Sequence, residues 1–321
     1  MTTEDKLLAA LIPTELAGLR LDQALAELFP AYSRSRLQQW IREGQVRVDE
    51  RQPRPRDRVL GGEQVRIDIL PDAATGAAEA QDIPLVIVYE DEALLVVNKP
   101  AGLVVHPAAG NRDGTLLNAL LHYAPELTSV PRAGLVHRID KDTTGLLVVA
   151  RSLVAHKLLI EQLQARLFER EYEAVVAGVM TGGSTVEGTM GRHPRDRVRM
   201  AVTTTGKTAI THYRVKERFR AHTHVQVKLE TGRTHQIRVH MAHIHHPVIG
   251  DAVYGGRARI PAGCSAELAA VLRVFKRQAL HAAHLGLEHP LSGERMDWHA
   301  PLPEDMQALL AVLQRDLNSE Q

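Results

Sequence analysis

Asp140 stands between two cations, Arg138 and Lys141, in the run His137-Arg138-Ile139-Asp140-Lys141-Asp142-Thr143-Thr144-Gly145, and the apolar stretch Leu146 to Ala150 follows at once. Asp142, Thr143, Thr144 and Gly145 supply the acceptors and backbone freedom of a tight turn, and the apolar residues read as a buried strand. A carboxylate at such a junction is held rather than floppy. Held and ionised, it is equipped to act as a nucleophile. An isolated run of this kind can equally be a plain turn, with Asp142 as its acceptor, so the rest of the chain has to decide.

Three other runs carry reactive or basic side chains. Val97-Asn98-Lys99-Pro100-Ala101-Gly102-Leu103-Val104-Val105-His106-Pro107 is a strand end and loop whose two prolines fix its path and whose Lys99 is placed to buttress a site. Arg170-Glu171-Tyr172-Glu173-Ala174-Val175 opens a strand, and Tyr172 taken alone reads as core. Leu229-Glu230-Thr231-Gly232-Arg233-Thr234-His235-Gln236-Ile237-Arg238-Val239-His240 leads into a helix with further histidines at 243, 245 and 246. Those histidines invite a metal, but no His-Glu-x-x-His pattern is present and Ile237, Met241 and Ile244 already use the helix for packing. They are read as structural or RNA-facing, and no metal site is assigned.

The elements that position these runs divide into two units. The chain has 321 residues, 44% hydrophobic and 24% charged, enough for a large domain and a small one. Residues 1–16 read as an extension and residues 17–70 as a small α+β module. In it Leu21, Ala24, Leu25 and Leu28 recur at helical spacing, and Ser33 can cap a second helix with Leu37, Trp40 and Ile41 that stops at Gly44. Short strands follow at Val46 to Val48 and Val65 to Ile69. Residues 71–82, rich in alanine, read as a linker. Beyond it, residues 83–321 alternate strands and helices irregularly, without βαβ repeats or a Gly-rich dinucleotide loop, which predicts an α+β fold on a mixed, mainly antiparallel sheet. Its expected elements include strands at Leu94 to Val97, Leu146 to Ala150, Tyr172 to Val176 and a half-exposed one at His224 to Leu229. Ser152 is expected to cap a helix bearing Leu159, Leu163 and Leu167.

Charge and cysteine content limit the function classes. The formal net charge is only +1, but Arg34 to Arg58 holds eight arginines against four acids, and Arg192 to Arg233 holds eleven Lys or Arg against Asp196, Glu217 and Glu230. The last forty-one residues reverse the sign, with seven acids against Arg295 and Arg315. Local basic surfaces suit a protein that grips a polyanion, and ordinary solvated faces are the plain alternative. Cys264 is the only cysteine, so no internal disulfide or thiolate cluster can form. No apolar run approaches the roughly 18 residues of a membrane span, and Met1 to Lys6 lacks a signal pattern, which together predict a cytoplasmic protein. A monomer is expected, since no exposed apolar surface is legible.

The four runs, in this order and with Arg277-Gln278-Ala279-Leu280-His281-Ala282 behind them, resemble the RluA/RluC/RluD family of RNA pseudouridine synthases over nearly the whole chain. The Ser-Arg-Ser-Arg and Asp-Lys-Asp-Thr-Thr-Gly details bring it nearest the RluD branch, and Ile139 stands where leucine is common. The small module resembles an S4 RNA-binding domain, which would point Arg34 and Arg36 at phosphate. The resemblance implies isomerisation of uridine to pseudouridine, which exchanges a C1′–N1 bond for a C1′–C5 bond without redox change and so demands no cofactor. It implies Asp140 as nucleophile, Arg233 as the cation that pairs with it and keeps it charged, and Tyr172 as the ring that stacks on a flipped uracil and helps remove the C5 proton. Arg138 would fill the gap left by the extruded base, with His137 and Lys99 completing the RNA contacts. The RluD-like details imply large-subunit rRNA or a pre-ribosomal particle as partner, at the bridge stem-loop called helix 69. Two rivals are a non-catalytic S4-type RNA-binding protein, which leaves Asp140, Tyr172 and Arg233 unexplained, and a glycoside hydrolase, which needs a second carboxylate that no run supplies.

Overall fold

The computed structural model describes residues 6–30, 32, 34–69, 78–108, 110–196, 199–257 and 259–319. Its N-terminal unit packs two helices on a three-stranded antiparallel sheet. The elements are β1 (Lys6–Leu11), α1 (Leu21–Leu28), α2 (Arg34–Arg42), β2 (Val46–Val48) and β3 (Gln64–Ile69), with strand order β1-β3-β2. Leu21, Ala24 and Leu25 form one face of α1 and close a core with Leu37, Trp40 and Ile41 of α2 over Val46, Val65 and Ile67 of the sheet. Helix α2 stops where Gly44 adopts a φ of 77°. There the Gly44 N–H returns to Ile41 O at 3.3 Å and the Gln45 N–H to Trp40 O at 2.9 Å, a Schellman closure that satisfies the last carbonyls.

The C-terminal unit is built on a ten-stranded sheet. In chain order its elements are β4 (Ile87–Glu90), β5 (Leu94–Lys99), α3 (Leu116–Tyr123), β6 (Thr144–Ala150), α4 (Leu153–Gln164), β7 (Glu169–Ala177), β8 (Ser184–Arg192), β9 (Met200–Thr203) and β10 (Lys207–Arg218). Then come β11 (His222–Leu229), α5 (Gln236–His243), α6 (Ala266–Val274), β12 (Leu280–Glu288), β13 (Arg295–His299) and α7 (Glu304–Asn318). The strands run in the order β4-β5-β6-β12-β7-β11-β10-β8-β9, with β13 paired to β12. Every pairing is antiparallel except that of β6 with β12. This is the α+β mixed sheet that the irregular element order predicts.

Strand β6 explains why an uninterrupted apolar run follows the Asp140 turn. All seven of its residues are buried. Leu147 and Val149 join a core with Leu95, Leu116 and Leu120, while Leu146, Val148 and Ala150 point the other way into a second core with Ala155, Leu159 and Trp298. A strand covered on both faces cannot alternate with polar residues. Gly145, its second residue, has a φ of 115° and presses so close to the Ala282 backbone of β12 that a Cβ would collide with it.

Several expectations change. The small unit starts before residue 17, because β1 pairs with β3 along its whole length. The expected cap Ser33 and most of the expected linker, residues 71–77, lie outside the described residues. Residues 78–83 already belong to the large unit: Ala78 and Ile83 pack on its core, and the Asn118 amide donates to Glu79 O at 2.8 Å. Leu167 is not on α4, which ends at Gln164, and is 47% exposed because Arg166 turns the chain with a φ of 61°. Strand β11 is mostly buried instead of half-exposed, since it lies between β7 and β10 and its polar side chains are bonded inside, with Thr223 Oγ1 donating to Gly178 O. Among the described residues no helix is long and apolar enough to cross a membrane.

Replacing Gly145 with alanine adds a Cβ both at an unfavourable φ and against a neighbouring strand. The expected loss is more than ~1 kcal/mol in urea denaturation, and an unchanged midpoint would show that β12 does not press on β6 there.

Candidate active site

A cavity of about 820 Å³ opens where the loop before β6, the start of β7 and the start of α5 meet, and Asp140, Tyr172, Arg138, Arg170, Arg233 and Arg238 contribute to its walls. The Asp140 loop is fixed from several sides. Ile139 is buried in the core beneath it. Lys99, at the end of β5, is 1% exposed and donates from Nζ to Pro100 O at 2.6 Å, Leu103 O at 2.9 Å and Lys141 O at 2.8 Å. The loop after β5 and the Asp140 loop are thereby tied to each other through one ammonium. Burial pushes the Lys99 pKa down to about 7, against the pull of Asp142 and Asp140. On the other side Gln278 Nε2 donates to Thr143 Oγ1 at 3.0 Å, and Arg277, clamped by Asp305, reaches Asp142 O at 3.3 Å. The Thr143 N–H closes the turn on Asp140 O at 3.1 Å.

Asp140 itself is held by Arg238. Its Oδ2 accepts from Arg238 Nη1 at 2.9 Å, while Arg238 Nε and Nη2 donate to the two oxygens of Asp251 at 2.6 and 2.9 Å. Asp251 also accepts the N–H groups of Val253 and Tyr254 at 2.9 and 3.0 Å, so its position is set by backbone. Burial opposes the charges of Arg238 and Asp251, but their pairing outweighs it, raising the arginine pKa and lowering that of Asp251. The Arg238 guanidinium also lies 5.1 Å from the centre of the Tyr254 ring. Asp140 Oδ1 faces His235 Nε2 at 3.9 Å, and His235 Nδ1 is 2.8 Å from Tyr254 Oη. Burial depresses the His235 pKa, partly offset by Asp140. One carboxylate oxygen is thus pinned, and the other has only the His235 ring, at 3.9 Å, as a basic neighbour among the described residues.

The expected pairing of Arg233 with Asp140 is not made. Arg233 lies at the cavity wall just before α5, with Nε donating to Thr208 O at 3.2 Å, and Arg238, one turn inside the helix, takes the carboxylate. Sequence spacing held a signal for this: Arg238 precedes Met241 by three residues and therefore shares the inward helical face. Asp251 and Tyr254 carried no such signal, since they reach the site from a loop after the helix. Tyr172 is buried on the cavity wall, and burial raises its pKa, with Asp140 adding to the effect and Arg170 opposing it. Arg138 is exposed at the rim.

Two expected RNA contacts hold the protein together instead. Lys99 has all three ammonium hydrogens on carbonyls in the interior. His137 Nε2 accepts the Val148 N–H at 3.1 Å, and burial lowers its pKa to about 3, so it is a neutral brace for β6. In the small unit Arg34 is exposed and anchored on the buried Asp22 at 2.9 Å, with Arg20 on the same carboxylate at 3.0 Å. The Arg36 side chain lies outside the described residues. The histidines on and after α5 bond to different elements: His240 Nδ1 is 2.9 Å from Thr211 Oγ1 and His246, beyond the helix, has Nδ1 2.8 Å from Ala177 O.

A family described as RNA pseudouridylate synthase matches residues 93–243, and the S4 domain matches residues 19–65. A protein named ribosomal large subunit pseudouridine synthase D from Pseudomonas aeruginosa is 59% identical over 308 residues, covering 96% of each chain. A protein of the same name from Escherichia coli is 56% identical over 310 residues, 96% of this chain and 95% of that one. Among solved structures, human RNA pseudouridylate synthase domain containing 4 superposes with a TM-score of 0.58 at 25% identity, covering 71% of this chain and 93% of the other.

Removing Arg238 leaves Asp251 charged and buried, so Arg238→Met is expected to cost ~3–5 kcal/mol in chemical denaturation, and adding Asp251→Leu to recover a large part of it. A loss below ~1 kcal/mol would show that the pair does not anchor the helix. Lys99 gives a pH signature. Its pKa of about 7 lies below the usual 10.5, so between those values the unfolded chain holds a proton that the folded chain has released, and stability from this group rises with pH. Wild type is expected to gain ~2 kcal/mol on Lys99→Met between about pH 7 and 9, as read from urea midpoints. Parallel pH profiles would contradict a titrating, enclosed ammonium.

Proposed function

Because this chain belongs to the RNA pseudouridylate synthase family, we propose that it converts uridines of large-subunit ribosomal RNA to pseudouridine, with Asp140 as the nucleophile. The observation that carries this reading is the Asp251–Arg238–Asp140 chain, which keeps one carboxylate oriented in a cavity large enough for a nucleoside. The reaction breaks C1′–N1 and makes C1′–C5, so it needs a held nucleophile, a way to bring the base out of its stack, and room for the base to turn. Tyr172 supplies a ring for the uracil to lie against, and its raised pKa keeps the phenol protonated. Arg233 sits on the wall and contacts the bound nucleotide, a role distinct from the grip on Asp140. Arg138, at the rim two residues before Asp140, takes the place of the extruded base and offsets part of the few kcal/mol that flipping costs.

The S4 unit adds affinity through phosphate contacts, with Arg34 held ready by Asp22. The names of the relatives support large-subunit rRNA, free or in a pre-ribosomal particle, as the partner. The RluD-like details of the sequence narrow the target to the helix 69 stem-loop. The protein works in the cytoplasm as a monomer, with the unit from β1 to β3 for RNA binding and the larger unit that includes Ala78 and Ile83 for catalysis.

The test is to incubate the protein with large-subunit rRNA lacking pseudouridine and to map carbodiimide-dependent reverse-transcription stops. Stops in the bridge stem-loop are expected with wild type and not with Asp140→Asn, whose affinity for the RNA should stay within about threefold of wild type. Isomerisation at an undiminished rate by Asp140→Asn would overturn the nucleophile, and stops at other sites only would overturn the target.

A further inference from the structure

Unlike the exposed Arg132 and Arg138 of the same cavity wall, Arg170 is buried there and, among the described residues, has no carboxylate to hold. It lies on β7 two residues before Tyr172, and the burial pattern of that strand puts Arg170, Tyr172 and Ala174 on one face. The residue is 7% exposed, and its Nε is buried without a hydrogen-bond partner. Among the described residues no carboxylate is paired with its guanidinium. The contrast with its neighbours is plain: Arg238 has Asp140 and Asp251, and Arg166 has Glu230 at 3.2 Å. Burying a guanidinium without a counter-charge is costly, and such a group persists where something else needs it. The space it occupies is made by Gly232, where a Cβ would come within 2.7 Å of Arg170 Nη1.

We infer that Arg170 is a catalytic residue whose guanidinium donates hydrogen bonds to a carbonyl oxygen of the flipped uracil as negative charge builds there. This deepens the reading of the previous subsection and rests on it. Charge reaches a ring oxygen by every route open to the reaction. If Asp140 attacks C1′, the C1′–N1 electrons leave with the base and spread over O2 and O4. If the bond breaks by loss of the C2′ proton, the same uracil anion departs. If Asp140 adds at C6, the C5–C6 electrons move through C4 to O4. In the first route C5 displaces the Asp140 carboxylate from C1′; in the second C5 bonds to C1′ of the glycal as C2′ takes its proton back; in the third C1′ passes from N1 to C5 and the carboxylate then leaves C6. Each ends with the C5 proton lost and N1 protonated. Charge therefore develops on a ring oxygen every time, and a donor fixed in a closed wall is worth most against such transient charge. A carboxylate next to Arg170 would cancel that effect, which accounts for its absence from this part of the wall. An exposed cation such as Arg34 of the small unit suits phosphates; an enclosed one on the same strand face as Tyr172 suits the base.

The test compares wild type, Arg170→Met and Arg170→Lys on an rRNA fragment containing the bridge stem-loop, reading RNA affinity, single-turnover rate and thermal midpoint. Arg170→Met is expected to lower the single-turnover rate ~10²–10³-fold while affinity stays within about threefold, and Arg170→Lys to recover part of the rate. Because it removes an unpartnered buried charge, Arg170→Met should melt no lower than wild type. A rate within about threefold of wild type would overturn the inference. So would a loss of affinity matching the loss of rate, which marks a phosphate contact, or a clearly lowered melting point with Arg170→Lys equally slow, which marks a structural prop. A wild-type protein inactive on this RNA would overturn the substrate reading and this inference together, a result distinct from failure of the variants alone.

Discussion

A guanidinium with both its edges in use governs this molecule. Arg238 is gripped along one edge by Asp251, which is itself fixed by two backbone N–H groups, and only Nη1 remains to meet Asp140. The order of dependence is therefore loop to Asp251, Asp251 to Arg238, Arg238 to Asp140. Inside a protein a charge that loses its partner is far more costly than at the surface, so each link enforces the next. The same arrangement settles which oxygen of Asp140 is held and which is open. Elements far apart in sequence, the turn before β6 and the first turn of α5, come into register through this one chain of charges.

The small unit applies the same logic at its surface. Asp22, buried in the first turn of α1, takes hydrogen bonds from Arg20, Arg34 and Gln38 and holds the two arginines in place. Burial opposes the charge of Asp22, and those donors overcome it, lowering its pKa. A cation restrained in this way loses less freedom when it meets a phosphate than a free side chain would.

Much of this was legible in the residues. The run Leu146 to Ala150 announces a strand with two covered faces, and the Asp140 turn in front of it stands out because charged and turn-forming residues meet that strand abruptly. Gly44 marks the end of a helix because glycine readily takes the positive φ that the closing turn requires. What could not be read is tertiary. The choice between Arg233 and Arg238 depends on a contact spanning ninety-eight residues. Strand β1 is a short apolar stretch that only its pairing with β3 makes a strand. The error at β11 came from equating polar with exposed, whereas His224 is buried and finds Glu173 at 2.7 Å. Lys99 misled for the same reason, since a lysine with three carbonyl partners is interior scaffolding.

Strand β6 has alternate residues locked into two separate cores. Sliding it along its axis would dislodge both at once, so the turn it carries is a fixed point and not a hinge. Accommodation between enzyme and polynucleotide then falls to the polynucleotide. A rigid template of this kind discriminates by the work each target must do to conform to it, and that work is least where a nucleotide is already unstacked or unpaired. The selectivity of such a surface is written partly in the mechanical compliance of the nucleic acid, in addition to any letters the side chains can read.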